Sequence, residues 1–96
     1  MAKYFKFRKD QVFKKEYNNN RIALVIIDTD DEFFGKIATA TVNLPDEDLL
    51  PDEVFIKNWS ENEGVLADLI AFKVVSSPID EIETGFCTAY KCKLLI

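Results

Sequence analysis

Ile22–Ile27 is the stretch that most restricts the fold: Ile-Ala-Leu-Val-Ile-Ile, apolar at every position and rich in β-branched side chains. It is far too short for the ~18 residues of a membrane span. Without alternation it reads as a strand covered on both faces rather than one washed by solvent. Such a strand needs neighbours, and the flanking sequence supplies turns that lead to them. Asn18, Asn19 and Asn20 precede it, and Asn tolerates the left-handed backbone of a tight turn. Asp28, Thr29, Asp30, Asp31 and Glu32 follow as a polar turn. On one side, residues 4–8 alternate Phe5 and Phe7 against Lys6 and Arg8, and residues 12–17 continue extended after an irregularity at Lys9 and Asp10. On the other, residues 35–43 set Ile37, Thr39 and Thr41 against Ala38, Ala40 and Val42. Two hairpins in succession predict a meander.

Pro45 ends the third strand because it cannot donate to a ladder. An acidic connection over residues 46–53 leads to a short strand at 54–57. Ser60 and Glu63 stand at the spacing of a capping box, in which each side chain satisfies the other's orphan backbone donor. Val65, Leu66, Leu69 and Ile70 then form one apolar stripe, predicting a helix over 61–72 with Asp68 on its solvent side. Ser76, Ser77 and Pro78 interrupt the chain, residues 79–83 fit no single pattern, and residues 86–95 read as a closing strand. The expectation is one α+β domain over residues 1–96: a mostly antiparallel sheet of about five strands with a meander start and one helix packed on one face.

The 96 residues carry 48% apolar and 30% charged side chains with only three Gly and three Pro, the make-up of an ordinary globular domain. No apolar h-region follows the basic start, so no secretory signal is predicted. Cys87 and Cys92 lie in one predicted strand, about 16 Å apart and on opposite faces, too far for a disulfide. Two free thiols suit a reducing cytoplasm, where the chain is expected. The net charge of −5 is unevenly distributed: residues 1–21 hold seven of the 12 basic groups against Asp10 and Glu16. The lysines interleave with Phe5, Phe7 and Phe13 instead of forming a block. They therefore read as the outer face of a strand, and no nucleic-acid binding is expected.

There is no histidine. Its absence removes Ser-His and Cys-His catalysis and the commonest zinc ligand. Two cysteines on opposite strand faces make no four-ligand zinc site, and Gly35, Gly64 and Gly85 are isolated and form no phosphate loop. Residues 28–32 lack the central Gly and twelfth-position Glu of a calcium loop. The expectation is no enzyme, no metal and no cofactor. Trp59 is the only tryptophan, placed just before the predicted helix. With Gly64 offering it little to staple onto, the ring either packs into the core, the commoner fate of such a residue, or stays exposed as the best interaction candidate, flanked by Asn58 and Asn62.

Three segments occur in a fixed order: residues 38–45 (Ala-Thr-Ala-Thr-Val-Asn-Leu-Pro), residues 56–66 around Asn58-Trp59-Ser60-Glu61-Asn62-Glu63-Gly64, and residues 84–94 from Thr84-Gly85-Phe86 through Cys92-Lys93-Leu94. Across residues 22–95 the chain resembles a family of small bacterial proteins of unknown function encoded on prophages, plasmids and conjugative elements. The family pattern has Tyr where this chain has Trp59, and a Gly-Arg-Thr-like turn where this chain has residues 76–83. The resemblance implies a setting and no activity. With it, the expected function is that of a non-enzymatic, protein-binding accessory protein of a mobile element, with no membrane partner. The alternatives are an acidic nucleic-acid mimic that inhibits a host defence system and a small-ligand-binding domain.

Overall fold

The structure is a computed structural model that describes residues 5–96. Among these residues six strands form in chain order: β1 (Val12–Glu16), β2 (Ile22–Ile27), β3 (Lys36–Thr39), β4 (Glu53–Lys57), β5 (Asp80–Glu83) and β6 (Thr88–Lys93), with one helix, α1 (Val65–Ala71), between β4 and β5. The fold is α+β, but the single five-stranded sheet expected from the sequence is not formed. There are two three-stranded antiparallel sheets, ordered β1-β2-β3 and β4-β6-β5. β4 and β5 both run antiparallel to β6 and hence parallel to each other, with α1 as their crossover.

Ala40 is where one sheet becomes two. Its N–H still donates to the Leu24 carbonyl of the first sheet at 2.8 Å, while its carbonyl accepts from the Lys57 N–H of the second at 2.8 Å. Beyond it, Thr41 bridges to Ile56 and the Val42 N–H donates to the Phe55 carbonyl. The turn of the Ala40 carbonyl leaves the Leu24 N–H without a ladder partner. The buried Thr41 Oγ1 accepts that proton at 3.2 Å and sits 2.8 Å from the Tyr17 hydroxyl. A buried amide without an acceptor costs about 1–3 kcal/mol, so one threonine hydroxyl makes the divergence of the sheets tolerable.

Strand β2 buries one face through Leu24 and Ile26, both fully buried, but on the other face only Ala23 is buried while Val25 and Ile27 stay partly exposed, so the cover on both faces expected from the sequence is incomplete. Leu24 and Ile26 meet Val54, Ile56 and Cys92 of the second sheet and Val65 and Leu69 of α1 in one core. The alternation of Phe5 and Phe7 survives, but residues 5–8 join no ladder, and Tyr4 lies outside the described residues. A 3-10 turn at Lys9–Gln11, closed by the Gln11 side chain on the Arg8 N–H, redirects the chain before β1. Phe7 is thereby sent into the core, edge-on to Phe72 at 5.5 Å. The segment without a clear pattern, 79–83, contains β5, whose charges mark an edge strand rather than a loop.

The helix is shorter than its apolar stripe. Ser60–Asn62 forms a separate 3-10 turn, and Gly64 adopts φ 94° before α1 begins. A left-handed residue cannot continue a right-handed helix, so Gly64 divides the predicted 61–72 segment. Among the described residues no helix is long and apolar enough to cross a membrane.

Candidate functional site

Asn58, Trp59 and Asn62 occupy three different environments. The Asn58 Oδ1 accepts from the Gly64 N–H at 3.0 Å and the Leu66 N–H at 3.1 Å, so Asn58 caps the first turn of α1. Ser60, the expected cap, is exposed with φ 58° and makes no side-chain cap bond. The Asn62 amide is fully buried and donates to the Thr39 carbonyl at 2.8 Å, pinning the 3-10 turn to β3. Its Oδ1 has no partner among the described residues. Both asparagines hold the segment in place, while Trp59 is half-buried, with the Lys57 ammonium 5.9 Å from its ring centroid.

Lys57 also pairs with Glu61 at 3.1 Å. The Glu61 carboxyl is lowered to about 2, first by its own backbone N–H, then by the Ser60 hydroxyl, then by Lys57. Next to this pair an open groove of about 470 Å³ is lined by Tyr17, Thr39, Thr41, Lys57 and Glu61. The two thiols are free. Burial pushes the Cys92 thiol up to about 11, so the half-buried Cys87 is the more accessible. Among the described residues no group of three or more Cys, Asp or Glu is placed to hold a metal ion.

The aromatic surface that the sequence reading passed over lies at the hairpin tips. Phe86 is fully exposed, Phe33 is 81% exposed and Phe34 62%. Strand directions put both tips at one end of the molecule. β2 descends to the 28–35 turn from which β3 rises, and residues 40–42, beyond β3, run antiparallel to β4, which descends to Lys57, the partner of Ala89 at the start of β6. The 84–87 turn that precedes β6 is therefore at the same end as Phe33 and Phe34, and so is Trp59. The opposite end carries the exposed aliphatic residues Leu50 and Leu95.

Local bonds hold the first tip in shape. The Asp28 Oδ1 accepts from the Asp30 N–H at 3.1 Å and the Asp31 Oδ1 from the Phe33 N–H at 3.3 Å. Arg8 reaches across to Asp30 at 3.1 Å, an exposed contact. Phe34 has φ 51°, a left-handed backbone that a bulky side chain rarely adopts. A signal was present in the sequence: two adjacent phenylalanines in an acidic turn fit neither strand nor helix periodicity, and Phe86 follows Gly85, whose φ is 82°. Comparison of the chain with known protein families, curated proteins and solved structures found no match.

Proposed function

We propose that this chain is a non-enzymatic, protein-binding accessory protein of a bacterial mobile element, and that its partner docks on the aromatic end formed by Phe33, Phe34, Phe86 and Trp59. The observation that carries this reading is Phe34. It is mostly exposed, so it adds little to the core, and its left-handed backbone costs about 1–2 kcal/mol relative to a residue free of Cβ. A bulky aromatic kept where both burial and backbone argue against it is a mark of function over stability. Aromatic side chains also dominate the energetics of protein interfaces. The mobile-element setting rests on the family resemblance of residues 22–95. The acidic groups are spread over the 28–32 turn, residues 46–53, the helix entry and β5, a scatter that does not favour a nucleic-acid mimic.

The test is Phe34→Gly alongside a Phe33→Ser/Phe86→Ser double variant, each used as tagged bait in quantitative capture from the host. Phe34→Gly is expected to raise thermal stability while losing the protein retained by the wild-type bait. Retention of that protein by both variants at wild-type levels would refute the docking site.

A further inference from the structure

β1 and β5 are outer strands, one in each sheet; of the other two outer strands, β4 is joined to residues 40–42 and the Thr39 carbonyl of β3 is taken by Asn62. The backbone phases of β1 and β5 follow from single bonds. The Tyr17 N–H donates to the Arg21 carbonyl at 2.8 Å. Bonded pairs in an antiparallel ladder recur at every second residue, so Phe13 and Lys15 bond inward to β2, and Val12, Lys14 and Glu16 turn their backbone groups outward. At the other edge the Thr84 N–H donates to the Cys87 carbonyl at 2.8 Å, so Ile82 bonds inward and Glu81 and Glu83 face out.

From these edges we infer that the protein associates with a second copy of itself, β1 of one molecule adding antiparallel to β5 of the next. One register sets outward groups against outward groups and matches the side chains of Phe13, Lys14 and Lys15. Lys14 faces Glu81 and Val12 faces Glu83 as bonded pairs. Lys15 faces Asp80 and Phe13 faces Ile82 as the closer, non-bonded pairs. Two opposite-charge pairs and one pair of half-buried apolar residues fall in consecutive positions. Sliding β5 by two residues would set Glu16 against Glu81 instead. Among the described residues, none of the ion pairs engages Lys14, Lys15, Asp80 or Glu81.

Three backbone bonds are available to this ladder: two between Lys14 and Glu81, and one from the Glu83 N–H to the Val12 carbonyl. The Val12 N–H is taken by the Lys9 carbonyl within its own turn. The Glu81 N–H is met only by the neighbouring Asp80 carboxylate at 2.8 Å, an exposed local contact that pairing would exchange for Lys14 and release to Lys15. The two edges are different surfaces, so the contact is head-to-tail and extends to an open chain or closes as a ring. A four-residue ladder buries far less than the ~1,000 Å² of a stable interface, so association belongs in the range of about 0.1–1 mM.

Sedimentation velocity on the full chain, up to about 1 mM and in about 50 mM and 500 mM NaCl, reads this directly. The wild type is expected to gain mass with concentration at low salt and much less at high salt. Lys14→Glu/Lys15→Glu and Asp80→Lys/Glu81→Lys should each weaken association at least about tenfold by setting like charges opposite one another. All four exposed substitutions together restore complementarity and keep the net charge at −5, so the quadruple variant should associate as the wild type does. Circular dichroism spectra identical to wild type establish that each variant is folded. A wild type that stays monomeric at every concentration overturns the inference. So does association that survives either double reversal, or a folded quadruple variant that remains monomeric.

Discussion

Removing the Asn58 amide strands two backbone donors, the Gly64 and Leu66 N–H groups, at the start of α1. Asn58→Ala should therefore cost about 1–2 kcal/mol in urea denaturation, the upper part of the range for a lost helix cap. Ser60→Gly should move the other way, by up to about 1 kcal/mol, because it frees a left-handed backbone without removing a cap bond. If Ser60→Gly proves the more damaging of the two, the assignment of the cap to Asn58 is wrong. Glu61 offers a check on the same turn. Its carboxyl is lowered from 4.5 to about 2, so the folded state binds its proton less readily than the unfolded chain. Its contribution to stability is complete above about 4.5 and is lost as the pH falls from there through 2. Because the backbone N–H and the Ser60 hydroxyl also lower it, Lys57→Met should raise the Glu61 midpoint only part of the way back, as read by NMR titration of the carboxyl carbon.

At the scale of elements, local pattern located β2 and β3 well, since the apolar run at Ile22–Ile27 and the alternation at residues 35–43 are local properties of the chain, whereas the alternation at Phe5 to Arg8 gave no strand. Sheet membership was not legible, because it turns on where a single carbonyl points. Ala40 looks like any other small residue in an alternating strand, and nothing local reports that its two backbone groups serve different sheets. Thr41 likewise passes for a β-branched strand residue, although its hydroxyl is what accepts the stranded Leu24 proton. Thr41→Val keeps the shape and deletes that acceptor, so it should cost about 1–3 kcal/mol. A loss below about 0.5 kcal/mol would mean that the Leu24 amide finds another partner. The site was partly legible for a related reason. Trp59 stood out by residue type. The roles of the asparagines beside it are not legible, because their amides can serve partner or backbone equally well, and only the folded chain shows which. Phe33 and Phe34 are hidden by the polar turn that carries them, and Phe86 reads as the first residue of the closing strand, which begins only at Thr88.

Across the whole molecule, the two sheets share one core. Leu24 and Ile26 from the first, Val54, Ile56 and Cys92 from the second, and Leu69 from the helix are all fully buried in it. Leu69→Ala should cost about 2–5 kcal/mol, as cavities in well-packed interiors do. Both sheets should melt together, because neither has a separate interior to fall back on. Coincident transitions followed by Trp59 fluorescence and by far-UV circular dichroism would establish this, and a first sheet outlasting the second would contradict it. The Ala40 crossing carries a further consequence, for how this chain can change over generations. Side chains in a strand alternate between faces, so one codon gained or lost between Thr39 and Thr41 would turn Thr41 away from the Leu24 amide and exchange inside for outside in everything paired beyond it. The same change at residues 29–33 or 84–86 would only lengthen a turn. Drift in length is therefore open to this lineage at the tips that carry its exposed aromatics and closed at its waist.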